Sequence, residues 1–243
     1  MLNNIKVHNE FSQLINNLSR GDTKDFIYTM EELNNELRQL TKQSQLSLGF
    51  KSKKYAQSIN LRDTSHILFK EDNNFFKGEI LHSDDFVIST EITLHYATVN
   101  KSPIDIEAHK LNLLHLKQKV IYGTYLNLLA KKILNRCIDY SKNRYTFGVP
   151  IAKHQMVADT IVIAMSELEG NDLLLGNWSH HLDNDQLHLV PENHFSYMNN
   201  QILEVVDLIT PVMGAFGIST EEGIKEELSR FYKLSSMGDA SNV

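Results

Sequence analysis

Residues with ligand chemistry crowd one stretch of the chain, Trp178 to His194, where His180, His181, Asp183, Asp185, His188 and His194 are all metal ligands by type. Their spacing fits no recognised site. Two histidines four apart on one helix face would make a strong pair, and Pro191 argues against an uninterrupted helix through this stretch. A solvated polar connection is the expectation, with no metal. Cys137, the single cysteine, cannot close an internal disulfide and lies on an apolar helical stripe, which reads as packing. Ser219 and Glu222 have the spacing of a capping box that opens a last helix and needs no ligand.

The elements that position these residues are mostly helical. Phe11, Leu14, Ile15 and Leu18 share one face, and after Gly21-Asp22 the set Met30, Leu33, Leu37 and Leu40 repeats that spacing. From about His66 to Val99 the period becomes alternating, with Ile92, Leu94 and Tyr96 on one side. This predicts three or four strands turning at Asp72-Asn73-Asn74 and at His82-Ser83-Asp84-Asp85. Pro103 marks the best boundary. Beyond it a long helix is predicted from near Leu111 to Lys142-Asn143, carrying Leu126, Leu129, Ala130, Ile133, Leu134, Cys137 and Ile138. Gly148-Val149-Pro150 leads into a second helix through Val157, Ile161, Ala164 and Leu168. A third contains Ile202, Val206 and Ile209, with Pro211 near its end, and a fourth contains Ile224, Leu228 and Phe231. The sum is an antiparallel four-helix bundle behind a short β segment.

A chain of 243 residues with 42% apolar and 22% charged residues has the makings of a folded core. Its net charge of −6, with no basic stripe, argues against duplex nucleic acid as a partner. No apolar run is long enough to span a membrane and the opening residues lack a secretory signal, so a soluble cytoplasmic protein is expected.

Two blocks carry a family likeness. Arg-Tyr-Thr-Phe-Gly-Val-Pro-Ile-Ala-Lys-His-Gln, residues 144 to 155, resembles the Arg-x-x-Phe-Gly signature and its downstream Gln in the C-terminal helical bundle of the acyl-CoA dehydrogenase family. Pro-Val-Met-Gly-Ala-Phe-Gly-Ile-Ser-Thr-Glu, residues 211 to 221, resembles that family's glycine-rich turn. The likeness covers about residues 105 to 240. It implies that Arg144, Phe147 and Gln155 reach an FAD across a subunit interface: the guanidinium on the pyrophosphate, the ring beside the cofactor and the amide as a hydrogen-bond partner. Gly214 and Gly217 would admit the backbone close to the adenosine end. A reading without ligand stays open, in which Arg144 caps helix carbonyls or pairs with a carboxylate and Phe147-Gly148 is a packed turn.

The chain departs from the family where the chemistry needs a base. The resemblance implies a glutamate after the last helix, where Ser235-Ser236-Met237-Gly238-Asp239 stands, with Met237 at the base position and Asp239 as the nearest carboxylate. The family's other location, on the first bundle helix, falls at Gln118-Lys119, and Gln118 is neutral. Pro211 stands where relatives have a glutamine, and the front of the chain is short. No catalytic residue is assigned and the enzyme question stays open.

The expected fold is therefore mainly α: a residual helical region over 1–65, an abbreviated β segment over 66–102 and an acyl-CoA dehydrogenase-like C-terminal four-helix bundle over 103–243. The expected function is that of an acyl-CoA dehydrogenase-like flavoprotein, an oxidoreductase on CH–CH groups by resemblance, with FAD shared between subunits and the usual glutamate missing. The alternative is a non-catalytic partner subunit or a helical interaction protein of the same family. Acyl-CoA or a carrier-bound acyl group is the expected ligand class. A second copy, or a longer relative, is the expected protein partner, with neither nucleic acid nor membrane.

Overall fold

A computed structural model describes residues 10–51, 56–59, 66–71, 74–87, 93–104, 107–220 and 224–238. The chain opens with two helices, α1 (Glu10–Leu18) and α2 (Thr23–Thr41). Asp22 starts α2 by accepting from the backbone of Lys24 and Asp25, and Asp25 returns the bond to Asp22, so a reciprocal capping box satisfies donors that the first turn would leave unpaired.

Six strands follow: β1 (Leu46–Leu48), β2 (Phe50–Lys51), β3 (Ala56–Ile59), β4 (His66–Glu71), β5 (Asn74–Val87) and β6 (Thr93–Pro103). They form one sheet of order β1-β4-β5-β6-β3-β2, with β1 parallel to β4 and the other pairs antiparallel. Three strands thus precede His66, and the sheet draws on more of the chain than the alternation indicated. The predicted turn at His82-Ser83-Asp84-Asp85 is corrected: these residues lie within β5, with His82 opposite Thr98 and Asp85 opposite His95. A continuous partner strand overrides the weak strand preference of Ser and Asp, and a bulge between Ile80 and His82 absorbs the irregularity. At the other predicted turn Glu71 pairs with Asn74, while Asp72 and Asn73 lie outside the described residues, as does Ile92.

The bundle comprises α3 (Ala108–Asn143), α4 (Gln155–Asp183), α5 (Asn193–Thr220) and α6 (Ile224–Gly238). Every residue from Val120 to Ala130 is buried, because α3 is the central helix and meets neighbours on all sides. Contacts between the helices set their directions. Lys131 meets Glu169 and Asp172, which makes α4 antiparallel to α3. A Cβ on Gly123 would lie 2.5 Å from Met198 Cε, and the Cys137 thiol donates to the Ile209 carbonyl at 3.6 Å, so α5 ascends with α3. Tyr122 donates to the Leu234 carbonyl and Arg136 approaches Glu227 at 3.7 Å, so α6 descends. Up-down-up-down order results, as short connections dictate.

The front helices share this core. The Phe26 and Tyr125 rings stack at 4.1 Å, and the Tyr125 hydroxyl meets Thr23 Oγ1 at 2.9 Å. The sheet leans on α2 through Leu48 N–H to Asn34 Oδ1 (2.9 Å) and Arg38 Nε to the Leu46 carbonyl (3.2 Å). Pro211 lies near the end of the first stretch of α5, as expected: three residues on, Gly214 breaks the helix with a φ of 60° and a ψ of 178°, a region open essentially to glycine alone, and a second helical stretch runs to Thr220.

Candidate functional site

The two ends of the bundle carry different chemistry. At the upper end α3 stops at Arg144, whose N–H donates to the Tyr140 carbonyl (2.9 Å) and whose carbonyl accepts from Ile151 (2.8 Å). A hairpin follows, β7 (Tyr145–Thr146) against β8 (Val149–Pro150), with Phe147 and Gly148 as its two turn residues. Their φ values, 53° and 79°, suit a two-residue hairpin turn, which favours glycine or asparagine at both places. A phenylalanine there is strained, and its ring is 98% exposed, so its own chain gives it nothing to pack against. The packed-turn alternative is therefore corrected for Phe147: the turn is present, the packing is not. Thr146 Oγ1 and His154 Nε2, 2.8 Å apart, brace the hairpin against the start of α4, where Gln155 is exposed.

Arg144, Phe147 and Gln155 thus share one end of the bundle, and Arg144 is exposed like the other two. Because α5 ascends with α3, the kink at Gly214 comes to that same end, with Gly217 one turn beyond. A Cβ on Gly214 would meet no atom of this chain, so its glycine is required by backbone conformation rather than by a close neighbour within the chain.

At the lower end Tyr122 and Leu234 hold α6 beside α3, so the last turn of α6 and the turn of α3 bearing Gln118 come together. The stretch expected to follow the last helix is in fact part of it: Ser235 and Ser236 bond back to the Tyr232 and Lys233 carbonyls, and Asp239 lies outside the described residues. Gln118 is 1% exposed and its Oε1 has no hydrogen-bond partner. Beside it is a cluster that the sequence did not reveal. Glu192, at the entry to α5, accepts from Lys70 of β4 at 2.5 Å, Lys119 of α3 at 2.9 Å and His115 of α3 at 3.1 Å. His115 foremost, then Lys70 and Lys119, hold the Glu192 carboxyl well below the usual carboxylate range against the opposing effect of burial. A carboxylate so occupied is a poor proton acceptor. Burial pushes both His115 and Lys119 down, with Glu192 acting the other way on each.

The His- and Asp-rich stretch resolves into structural tasks. Trp178 to Asp183 complete α4, not a loop, with Trp178 buried against Phe195 at 4.5 Å. Asp183 accepts from the Phe11 and Ser12 backbone at 3.2 and 2.9 Å, capping α1 from across the fold. His181 meets Gln186 and His109 meets Asp185. Among the described residues no group of three or more metal-ligating side chains converges. Cys137 is fully buried and its thiol is pushed up to about 11, which suppresses thiolate chemistry. No helix among the described residues is long and apolar enough to cross a membrane.

Comparison with known proteins agrees with this architecture. Residues 123–239 match the family model "Acyl-CoA dehydrogenase, C-terminal domain". No curated protein matches the sequence. Among solved structures, the Tcur3481-Tcur3483 steroid ACAD superposes with TM-score 0.57 at 15% identity, over 80% of this chain and 59% of its own. A glutaryl-CoA dehydrogenase from Mycobacterium smegmatis in complex with FADH2 gives 0.51 at 12% identity, over 79% and 58%. The ChsE4-ChsE5 complex from Mycobacterium tuberculosis gives 0.52 at 12%, over 80% and 63%. This chain therefore spans about three fifths of the length of the structures it matches. The bundle, with its hairpin after the first helix and its kinked third helix, matches the acyl-CoA dehydrogenase C-terminal domain over residues 123–239, and the chain shares the fold of the solved acyl-CoA dehydrogenases.

Proposed function

We propose that this chain is an acyl-CoA dehydrogenase-like flavoprotein subunit whose hairpin end lends Arg144, Phe147 and Gln155 to an FAD held across a subunit interface. The observation that carries this reading is Phe147, a large apolar ring almost wholly exposed on a turn residue of positive φ. Strain of about 1–3 kcal/mol at such a residue persists where function holds it there. The other residues fit an anionic dinucleotide: an exposed guanidinium for a diphosphate, an exposed amide for a polar edge and a glycine kink at the same end. Met156, Ile163 and Leu173 on α4 are also exposed apolar side chains of the kind a subunit interface would cover. Bound FAD supplies a two-electron hydride acceptor. Arg144, Phe147, Gln155, Gly214 and Gly217 form the proposed cofactor contact, and the proposed ligand class beyond it is an acyl-CoA or carrier-bound acyl group.

A second reading rests on Gln118. With a neutral amide at one base location and Glu192 tied up by three donors, the chain suits a non-catalytic subunit that completes the cofactor site of a longer relative. Visible absorbance of the purified protein separates the two. A yellow homo-oligomer supports the first; a colourless protein that becomes part of a yellow complex with a longer relative supports the second. Colourless material in both preparations overturns the shared FAD contact.

A further inference from the structure

The Glu192 cluster joins parts of the fold that are far apart in sequence. Lys70 belongs to the sheet, His115 and Lys119 to the central helix, and Glu192 to the connection between α4 and α5. Aromatic rings enclose it: Phe75 of β5 meets the His115 ring edge-on at 6.0 Å and lies 5.8 Å from Lys70 Nζ, while Phe195 of α5 lies 5.9 Å from Lys119 Nζ. The side chain of His115 is 8% exposed and that of Lys70 13%, whereas Glu192 retains 37%. Two ammonium groups already face the single carboxylate, and the imidazole is the innermost member of the group.

We propose that this cluster is an acid-released latch between the sheet and the bundle, with His115 as the group whose protonation opens it. The charged groups that act on His115 are Lys70 from β4, Lys119 from its own helix and Glu192 from the α4–α5 connection; its ring neighbour on β5, Phe75, is uncharged, as is Phe195 of α5 beside Lys119. A proton on His115 would place a third positive charge around one carboxylate, on the most deeply buried member of the group. The relief is local. If β4 moves off α3, the imidazolium reaches solvent, Lys70 parts from Glu192, and the carboxylate keeps Lys119. A state in which His115 is solvated takes its proton near the ordinary histidine value, so acid draws population toward the open joint.

The test is amide hydrogen exchange in β4 and along residues 112–119, corrected for intrinsic rates, on the parent protein and on His115→Gln, which keeps an amide donor toward Glu192 and cannot titrate. Between pH of about 7.5 and 5.5, uptake of one proton by an exposed histidine of pKa about 6.5 predicts roughly tenfold more opening in the parent. The variant should show a flat response. Unchanged protection in the parent, or the same acid response in the variant, overturns the latch. If the variant does not fold, the ring resonances of His115 in the parent decide: a midpoint below that of free histidine agrees, and a midpoint at or above it contradicts.

Discussion

Tyr122 donates its hydroxyl hydrogen to the carbonyl of Leu234, and this one bond fixes the level of α6 against α3. The end of the last helix and the turn carrying Gln118 thereby become neighbours, although more than a hundred residues separate them in sequence. The family resemblance implies one of these two places as the seat of a carboxylate base, and neither presents one among the described residues.

Gln118 contributes little to folding by this account, because its buried Oε1 is unpartnered. Gln118→Met keeps the volume and removes the unmet polar atom, so stability in urea should rise by about 1 kcal/mol. A loss of more than about 1 kcal/mol would show that the amide is bonded.

Asp183 should matter for a reason unrelated to metal. Asp183→Ala removes the acceptor for two backbone donors at the start of α1 and should lower stability by about 1–2 kcal/mol, with faster hydrogen exchange confined to residues 10–18. Unchanged exchange in α1 would contradict the capping role.

Acid should weaken the fold in two stages. His115 binds its proton less readily when folded than when unfolded, so the unfolded chain takes up more protons as pH falls below about 6.5, and stability declines from there. Glu192 is likewise depressed; its contribution is complete above about pH 4.5 and is lost as pH falls further. Glu192→Gln should cost about 2 kcal/mol at neutral pH, below the range for a fully buried pair because Glu192 is partly exposed, and should flatten the lower stage. A chemical-denaturation series over pH reads both stages; stability that rises on acidification would refute the assignment.

Much of this architecture is legible in the residues. The stripes on α1 and α2 locate those helices because each meets the core with a fixed face, the long apolar run of α3 marks a helix buried all round, and the Arg144 to Gln155 block points to the hairpin end. What escapes is set by tertiary pairing. Nothing near Lys70 signals a bond to Glu192, 122 residues away. The polar run at His82–Asp85 reads as a turn until β6 supplies its partners. Trp178 to Asp183 look like a loop by composition, yet they extend α4 so that Asp183 can reach α1. Local preference is a weak guide wherever a distant segment satisfies the backbone or the charge.

Phe147 gives the account its sharpest discrimination between fold and function. Phe147→Gly removes a side chain that touches nothing in its own chain and relieves a positive φ, so the isolated subunit should be unharmed or more stable by about 1 kcal/mol.

Flavin content per assembled chain is the most direct measurement, taken on the flavin-bearing assembly of the parent and of Arg144→Ala and Phe147→Gly. Full occupancy is expected in the parent and loss of most flavin in both variants, each still folded by circular dichroism. Undiminished flavin in both folded variants, or a parent that holds none either alone or with a longer relative, would contradict it.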